Sequence, residues 1–247
     1  MRLSSSAGFT LALLAGGLAA ALPSLADPVK GTSSAVFITP VQEVNSSPYL
    51  TGVGTNDIKW GNNAGFGTPQ NELGFSNGLF DTVTDTPFIV GHLTYFNGSS
   101  VLGTNIDGIH LMPTLVFTTP AAIGTQSFTF EIPITTTPNT GTQAQNADYI
   151  TLATSFPQQT FVLGGKTYTL ALTGFGNVDT TNGFLANNNT ELHVFEGKGG
   201  GADLFGKVTL ASNATPEPSQ SLALAIGALG LAGLAVSRRR KNAAAAV

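Results

Sequence analysis

The chain has 247 residues and a formal net charge of −4, with no cysteine anywhere. A disulfide framework, thiol catalysis and a thiolate metal site are therefore all closed to it. Residues 27–212 hold five lysines and no arginine against 13 acidic residues, a net charge of −8, so this stretch lacks the basic footprint that nucleic acid or phosphate partners need.

At the N-terminus Arg2 supplies a short positive region, residues 9–22 an apolar one, and Ser24-Leu25-Ala26 a small-x-small site. That order reads as a secretory signal peptide, residues 1–26, cut between Ala26 and Asp27. Pro23 breaks the apolar run just ahead of the cut, which makes an uncleaved anchor the lesser reading. The body that follows, residues 27–212, has the length of one domain and enough chain to bury a core.

Helical periodicity is missing from the body, where Thr, Asn, Gly, Val, Ile and Phe dominate. Strands are expected at 35–39, 57–60, 88–96, 109–118, 127–135, 147–153, 166–175, 191–195 and 203–210. Phe128, Phe130, Ile132 and Ile134 alternate with Thr129, Glu131 and Pro133, the period of a sheet with one buried face. Tyr168, Leu170 and Leu172 repeat the pattern against Thr167, Thr169 and Thr173. Pro133 has no ladder donor, which places its strand at an edge or a bulge.

Asn97-Gly98, Asp107-Gly108, Gly164-Gly165 and Asn182-Gly183 read as turns, and residues 135–147 as a long surface loop. The fold class expected is all-β: a single antiparallel β-sandwich, jelly-roll-like, flanked by the N-terminal signal peptide and a C-terminal membrane-sorting helix.

Glycoside hydrolysis needs two carboxylates about 5 to 9.5 Å apart, and the candidate pairs are Asp81 with Asp85 and Glu191 with Glu196. Solvated turn or face residues are the better account of them. His92, His110 and His193 stand singly, without zinc-ligand spacing, and read as strand histidines bonded to backbone. No Gly-x-Ser-x-Gly elbow occurs, so no catalytic residue is assigned and no enzyme activity is expected.

Calcium suits loop oxygens better than zinc does, with Asn56-Asp57, Asp81 and Asp85, and Asp179 with Asn182 as donors. None of these matches an EF-hand, so no metal ligand or cofactor is assigned and a structural calcium stays open. Trp60, the single tryptophan, reads as core before it reads as a sugar platform. Gly197 with Gly199, Gly200 and Gly201 lacks the Lys-Ser/Thr of a phosphate loop and reads as a flexible hairpin turn. Asn97-Gly98-Ser99 and Asn188-Asn189-Thr190 fit a glycosylation acceptor formally.

The chain closes on Pro216, Glu217 and Pro218, then residues 222–236 of Leu, Ala, Ile, Val and Gly only, then Arg238, Arg239, Arg240 and Lys241. An all-round apolar run reads as a short transmembrane helix, and the cationic cluster keeps its far end cytoplasmic. Pro-Glu-Pro, apolar helix and terminal Arg cluster together resemble the PEP-CTERM sorting signal of bacterial exported proteins. That resemblance implies an exosortase-like membrane protease cutting near Pro216–Pro218 and an association with exopolysaccharide and biofilm.

The body resembles the choice-of-anchor K family of exported domains. The matching blocks are Gly52-Val53-Gly54-Thr55 with Trp60-Gly61, Thr86-Pro87-Phe88, Leu93-Thr94-Tyr95-Phe96-Asn97-Gly98, Gln126-Ser127-Phe128-Thr129-Phe130, Thr137-Pro138-Asn139-Thr140-Gly141, Gly174-Phe175-Gly176, Glu196-Gly197 and Leu204-Phe205-Gly206. The family name implies an exported domain with one of several surface anchors and no established chemistry. The expectation is an exported surface or matrix protein with a structural or adhesive role, whose partners are the export machinery, the exosortase-like protease and exopolysaccharide. The membrane is a transient host and nucleic acid is no partner. A carbohydrate- or calcium-binding module and a secreted carbohydrate-active hydrolase are the alternatives.

Overall fold

The computed structural model describes residues 26–211. The expected signal segment up to Leu25, the Pro216–Pro218 motif, the 222–236 helix and the Arg238–Lys241 cluster lie outside the described residues. Among the described residues no helix is long and apolar enough to cross a membrane.

The described residues are all-β and antiparallel, with one 3₁₀ turn at Ala121–Ile123. Its strands are β1 Pro28–Gln42, β2 Leu50–Thr51, β3 Asp57–Trp60, β4 Asn71–Val83, β5 Phe88–Asn97, β6 Ile106–Thr119 and β7 Thr125–Ser127. They continue with β8 Phe130–Thr135, β9 Asp148–Thr151, β10 Gln158–Leu163, β11 Lys166–Asp179, β12 Gly183–Ala186, β13 Glu191–Val194 and β14 Lys198–Leu210. Their ladder runs β10-β11-β14-β5-β4-β1-β6-β8-β9-β13-β12, with β2, β3 and β7 attached to its sides.

This large sheet curls on itself, as the right-handed twist of strands permits. Asn97 on β5 donates to the Val194 carbonyl on β13, and Gln159 on β10 donates to the Ser127 carbonyl on β7, so both ends of the ladder fold back onto its middle. The inner face holds the core, including Trp60 stacked on Tyr95, Phe80 against Phe88 and Phe117, and Phe130 against Phe156 and Phe175. All buried apolar side chains among the described residues fall between Val29 and Val208.

The alternation at residues 128–134 and 168–172 appears as expected, with Phe130, Ile132, Ile134, Tyr168, Leu170 and Leu172 buried. Pro133 closes the β6 ladder opposite Gly108, where β8 leaves β6 to pair with β9 through Ile134 and Thr135. Its missing donor thus falls at a change of partner, not on an edge strand. Gly164 and Gly165 have φ of 56° and 77° and close the β10–β11 hairpin, the geometry a two-residue turn demands.

Two turn expectations are corrected. Asp107-Gly108 lies inside β6, because the glycine makes room for the Glu131 carboxylate on β8. Gly199, Gly200 and Gly201 are likewise strand, paired with Phe96, Tyr95 and Thr94 of β5. A Cβ at Gly201 would sit 2.7 Å from the His92 ring nitrogen and 2.5 Å from the Leu93 carbonyl, so close approach rather than flexibility accounts for that glycine.

One end of the molecule holds both ends of the described chain. The Asp27 carboxylate accepts from Lys166 at 2.8 Å and from the Tyr168 hydroxyl at 2.7 Å, and the Ala211 amide donates to the Thr167 carbonyl. Hydrogen bonds from Lys166 and then Tyr168 hold the Asp27 carboxyl below its usual range. A carboxylate depressed on folding contributes stability above its unfolded pKa and loses it as pH falls through the folded value. Asp27→Ala should therefore lower stability by about 1–2 kcal/mol near pH 7, with the gap from wild type closing below about pH 4. Thermal melts from pH 7 down to pH 2 measure it, and a gap that does not narrow below pH 4 defeats the assignment.

Candidate functional site

Opposite that end, four connections converge: 43–49, 61–70, 98–105 and 136–147. β14 alone spans 13 residues between the two poles, roughly 40 Å. The first three loops are bonded into one unit, by Ser47 N–H to Gly103 O, Tyr49 N–H to Thr104 O, Gly61 N–H to Tyr49 O and Val101 N–H to Asn62 O. Between them and the 136–139 segment lies a cleft of about 390 Å³. Its polar walls come from Ser100, Asn105, Thr137, Asn139, Glu43 and Asp148, and its rim from Phe66 and Leu102, which are 51% and 89% exposed.

Asp148 opens β9 and is only 4% exposed. Its Oδ1 accepts the Thr137 amide at 2.6 Å and the Thr137 hydroxyl at 3.0 Å. Burial pushes its carboxyl up to about 6 against those two hydrogen bonds, with Glu196 adding to the rise. Both acids also act on the Tyr95 phenol behind the cleft, which burial first and then Asp148 and Glu196 push well above its usual value. Glu196 accepts the Ser99 hydroxyl, which ties the β13–β14 turn to the loop after β5.

The floor is built by backbone. Gly98 donates its N–H to the Asn71 Oδ1 at 2.9 Å, and a Cβ there would lie 2.1 Å from the Pro69 carbonyl. Beneath it the Trp60 indole N–H, the Asn71 amide nitrogen, the Tyr95 hydroxyl and the Asn97 amide oxygen are buried without a hydrogen-bond partner among the described residues. Buried polar groups of this kind are ordinarily hydrogen-bonded, to protein or to ordered water.

A second feature lies on the outer face of the sheet. Cross-strand partners align Gly74, Thr94, Gly201 and Asp179 in one row across β4, β5, β14 and β11, and these short side chains leave a trough of about 400 Å³. His92 leans over it, with Nδ1 2.8 Å from the Asp203 Oδ1, while Asn177 holds the other Asp203 oxygen at 2.8 Å. Burial works to raise the Asp203 carboxyl, but the Asn177 and His92 contacts outweigh it and leave it low.

The residues singled out in the sequence distribute as follows. Glu191 opens β13 and bonds Asn187 and His193, whereas Glu196 lies in the β13–β14 turn and accepts the Ser99 hydroxyl, so the two carboxylates have separate partners. Asp81 is an exposed partner of Lys30, and Asp85 sits in the β4–β5 turn at φ 66°. Neither pair lines the cleft. His110 meets the Thr39 backbone carbonyl as expected, but His92 and His193 are bonded to the carboxylates of Asp203 and Glu191, which corrects the backbone expectation for those two.

Asn56 bonds the Phe75 carbonyl, the Asp179 carboxylate caps its own turn at Thr181, and Asn182 points its amide nitrogen at Gly199. None of these donors converges on a common point, and among the described residues no group of three His, Cys, Asp or Glu side chains is placed to hold a metal. Trp60 is wholly buried and so is no platform for a sugar. Asn97 is also wholly buried, whereas Asn188 lies in an exposed turn at φ 56°.

Glu43, Asn105 and Asp148 escape sequence reasoning, since an acid or amide in a polar loop is unremarkable until burial singles it out. A signal existed nonetheless. Trp60-Gly61, Asn97-Gly98, Thr137–Gly141 and Glu196-Gly197, four of the blocks behind the family resemblance, gather at this one pole. A search against family models and against curated proteins finds no match to this chain.

Proposed function

We propose that the protein is an exported surface or matrix module with a structural or adhesive role, built on a sandwich-like, jelly-roll-type shell. It is held near the membrane by its tail during sorting, and it meets matrix polysaccharide through the loop cleft at the far pole. The observation that carries this reading is polar: the chain enters and leaves the shell at the 166–168 segment, while the cleft and its exposed Phe66 and Leu102 lie at the other end. A tether at one pole leaves the other free to touch a partner.

The sorting half of the reading rests on sequence. Pro216, Glu217 and Pro218 keep the cut region extended because neither proline fits a helix interior, and an exosortase-like protease would cleave there after the export machinery removes residues 1–26. Changing all three to alanine should leave export intact while uncleaved protein accumulates in the membrane fraction. Mass spectrometry of the mature C-terminus decides it: wild-type surface protein that still carries Arg238–Lys241 makes the tail a permanent anchor. The adhesive half is tested by Phe66→Asp with Leu102→Asp, which should release the exported protein from the matrix fraction without lowering its amount.

The alternative of a carbohydrate-active hydrolase has one observation in its favour, the His92–Asp203 pair over the glycine trough, which is the base and orienting half of a hydrolytic arrangement. Retained glycan turnover in His92→Ala would remove that support.

A further inference from the structure

The polar cleft has an unbalanced charge. Glu43 and Asp148 both line it, and no Lys, Arg or His does. Lys30, Lys59 and Lys166 are engaged elsewhere with Asp81, Glu72 and Asp27. Asp148 is more than nine-tenths buried; Thr137 fills its Oδ1 twice, and its Oδ2 carries no hydrogen bond among the described residues. The Glu43 Oε2 is likewise buried without a partner. A buried, unpartnered Glu43 oxygen and an unbonded Asp148 oxygen at the lining of one cavity, with no cationic side chain in that lining, suit a cationic ligand from outside.

The chemistry of that cation follows from the walls. Calcium takes six to eight oxygens, often from bidentate carboxylates, whereas the Thr137 clamp keeps one Asp148 oxygen occupied and leaves a single oxygen to offer. An ammonium group has three donors and is satisfied by three acceptors. Glu43 and Asp148 supply two, and Asn139, which also lines the cleft, carries a third acceptor in its amide. A lysine side chain would have to thread a four-carbon stem through walls of Ser100, Asn105, Thr136 and Thr137. Those hydroxyls and amides instead match a hydroxyl-bearing ring, whose apolar C–H face can lie on Phe66 at the rim.

We infer that the cleft is a receptor for a glycan residue bearing a free primary amine, an unacetylated hexosamine unit, held through its ammonium by Asp148 and Glu43. The inference rests on the reading of this pole as the contact site and adds the ligand class. Three titratable groups face Asp148: Glu196 from the β13–β14 turn, Tyr95 from β5 and Glu43 from the 43–49 loop. Protonating Asp148 at acid pH removes the attraction and deprotonating the ligand amine at alkaline pH removes it too, so the preference should pass through a maximum near neutral pH and fall to either side.

The test is calorimetric titration of the full chain in mild detergent with a glucosamine hexamer, its N-acetylated counterpart, tetralysine and calcium chloride. The expected result is binding of the glucosamine hexamer at pH 6.8 at least tenfold tighter than of the acetylated one, with the preference gone in Asp148→Asn. That variant keeps the Oδ1 acceptor for Thr137, and its unchanged far-UV circular dichroism shows that it folds. Equal binding of both hexamers, tighter binding of tetralysine or calcium, or an undiminished preference in Asp148→Asn each overturns the inference. Equal binding of the two hexamers, abolished by Phe66→Asp with Leu102→Asp, removes only the amine and leaves the polysaccharide contact standing. Absence of all glycan binding, with the matrix fraction unaffected by the Phe66 and Leu102 changes, removes both.

Discussion

Asp148→Asn should make the protein more stable at pH 7.5. The Asp148 carboxyl moves from 3.8 in an ordinary setting to about 6 here, because burial penalises its charge. A carboxyl raised on folding adds stability below its unfolded pKa, and that contribution is lost as pH rises through the folded value. Above pH 6 the charged group is a net cost, on the order of 2 kcal/mol. Asparagine carries no charge and still accepts from Thr137. The melting temperature should rise by roughly 4–8 °C at pH 7.5 and by almost nothing at pH 4. An equal gain at both pH values would assign the effect to packing instead of charge. A side chain that weakens the fold at neutral pH is the kind that selection keeps for function.

Trp60→Ala should be the most damaging single change at the same pole, by about 3–5 kcal/mol. Trp60 is wholly buried on β3, and its ring stacks on Tyr95 at 6.1 Å and 3°. Removing it opens a cavity directly under the cleft. Trp60→Phe should cost much less, since it keeps most of the ring and deletes an indole N–H that has no partner. Urea titrations compare the two: similar losses would mean that the N–H matters and that its partner is a bound solvent molecule.

The strands that sequence shows plainly are those with one wet face and no glycine, at 130–135 and 166–172. β4 escaped because Gly74 and Gly78 interrupt its alternation. A Cβ at Gly78 would lie 2.7 Å from the Val90 carbonyl and 2.8 Å from the Ser33 hydroxyl, the buried group that stitches β1, β4 and β5 together. Glycine there serves inter-strand contact, which no one-dimensional pattern encodes. β10, with Gln158, Gln159 and Thr160, has too little apolar content to announce a strand and is ordered by its ladder with β11. The cleft was illegible for a related reason: Glu43, Asn105 and Asp148 are far apart in sequence and acquire meaning only when three loops are bonded together beside the 136–139 segment.

The Asp27 carboxylate and the Ala211 amide both engage the segment 166–168. Entry and exit of the chain are thus neighbours, and a short linker from 211 to 27 would close the backbone into a ring without disturbing a strand. A permuted gene opened instead in the exposed 187–189 turn should yield the same shell. By the same geometry, whatever precedes residue 27 and whatever follows residue 211 joins the shell at one pole.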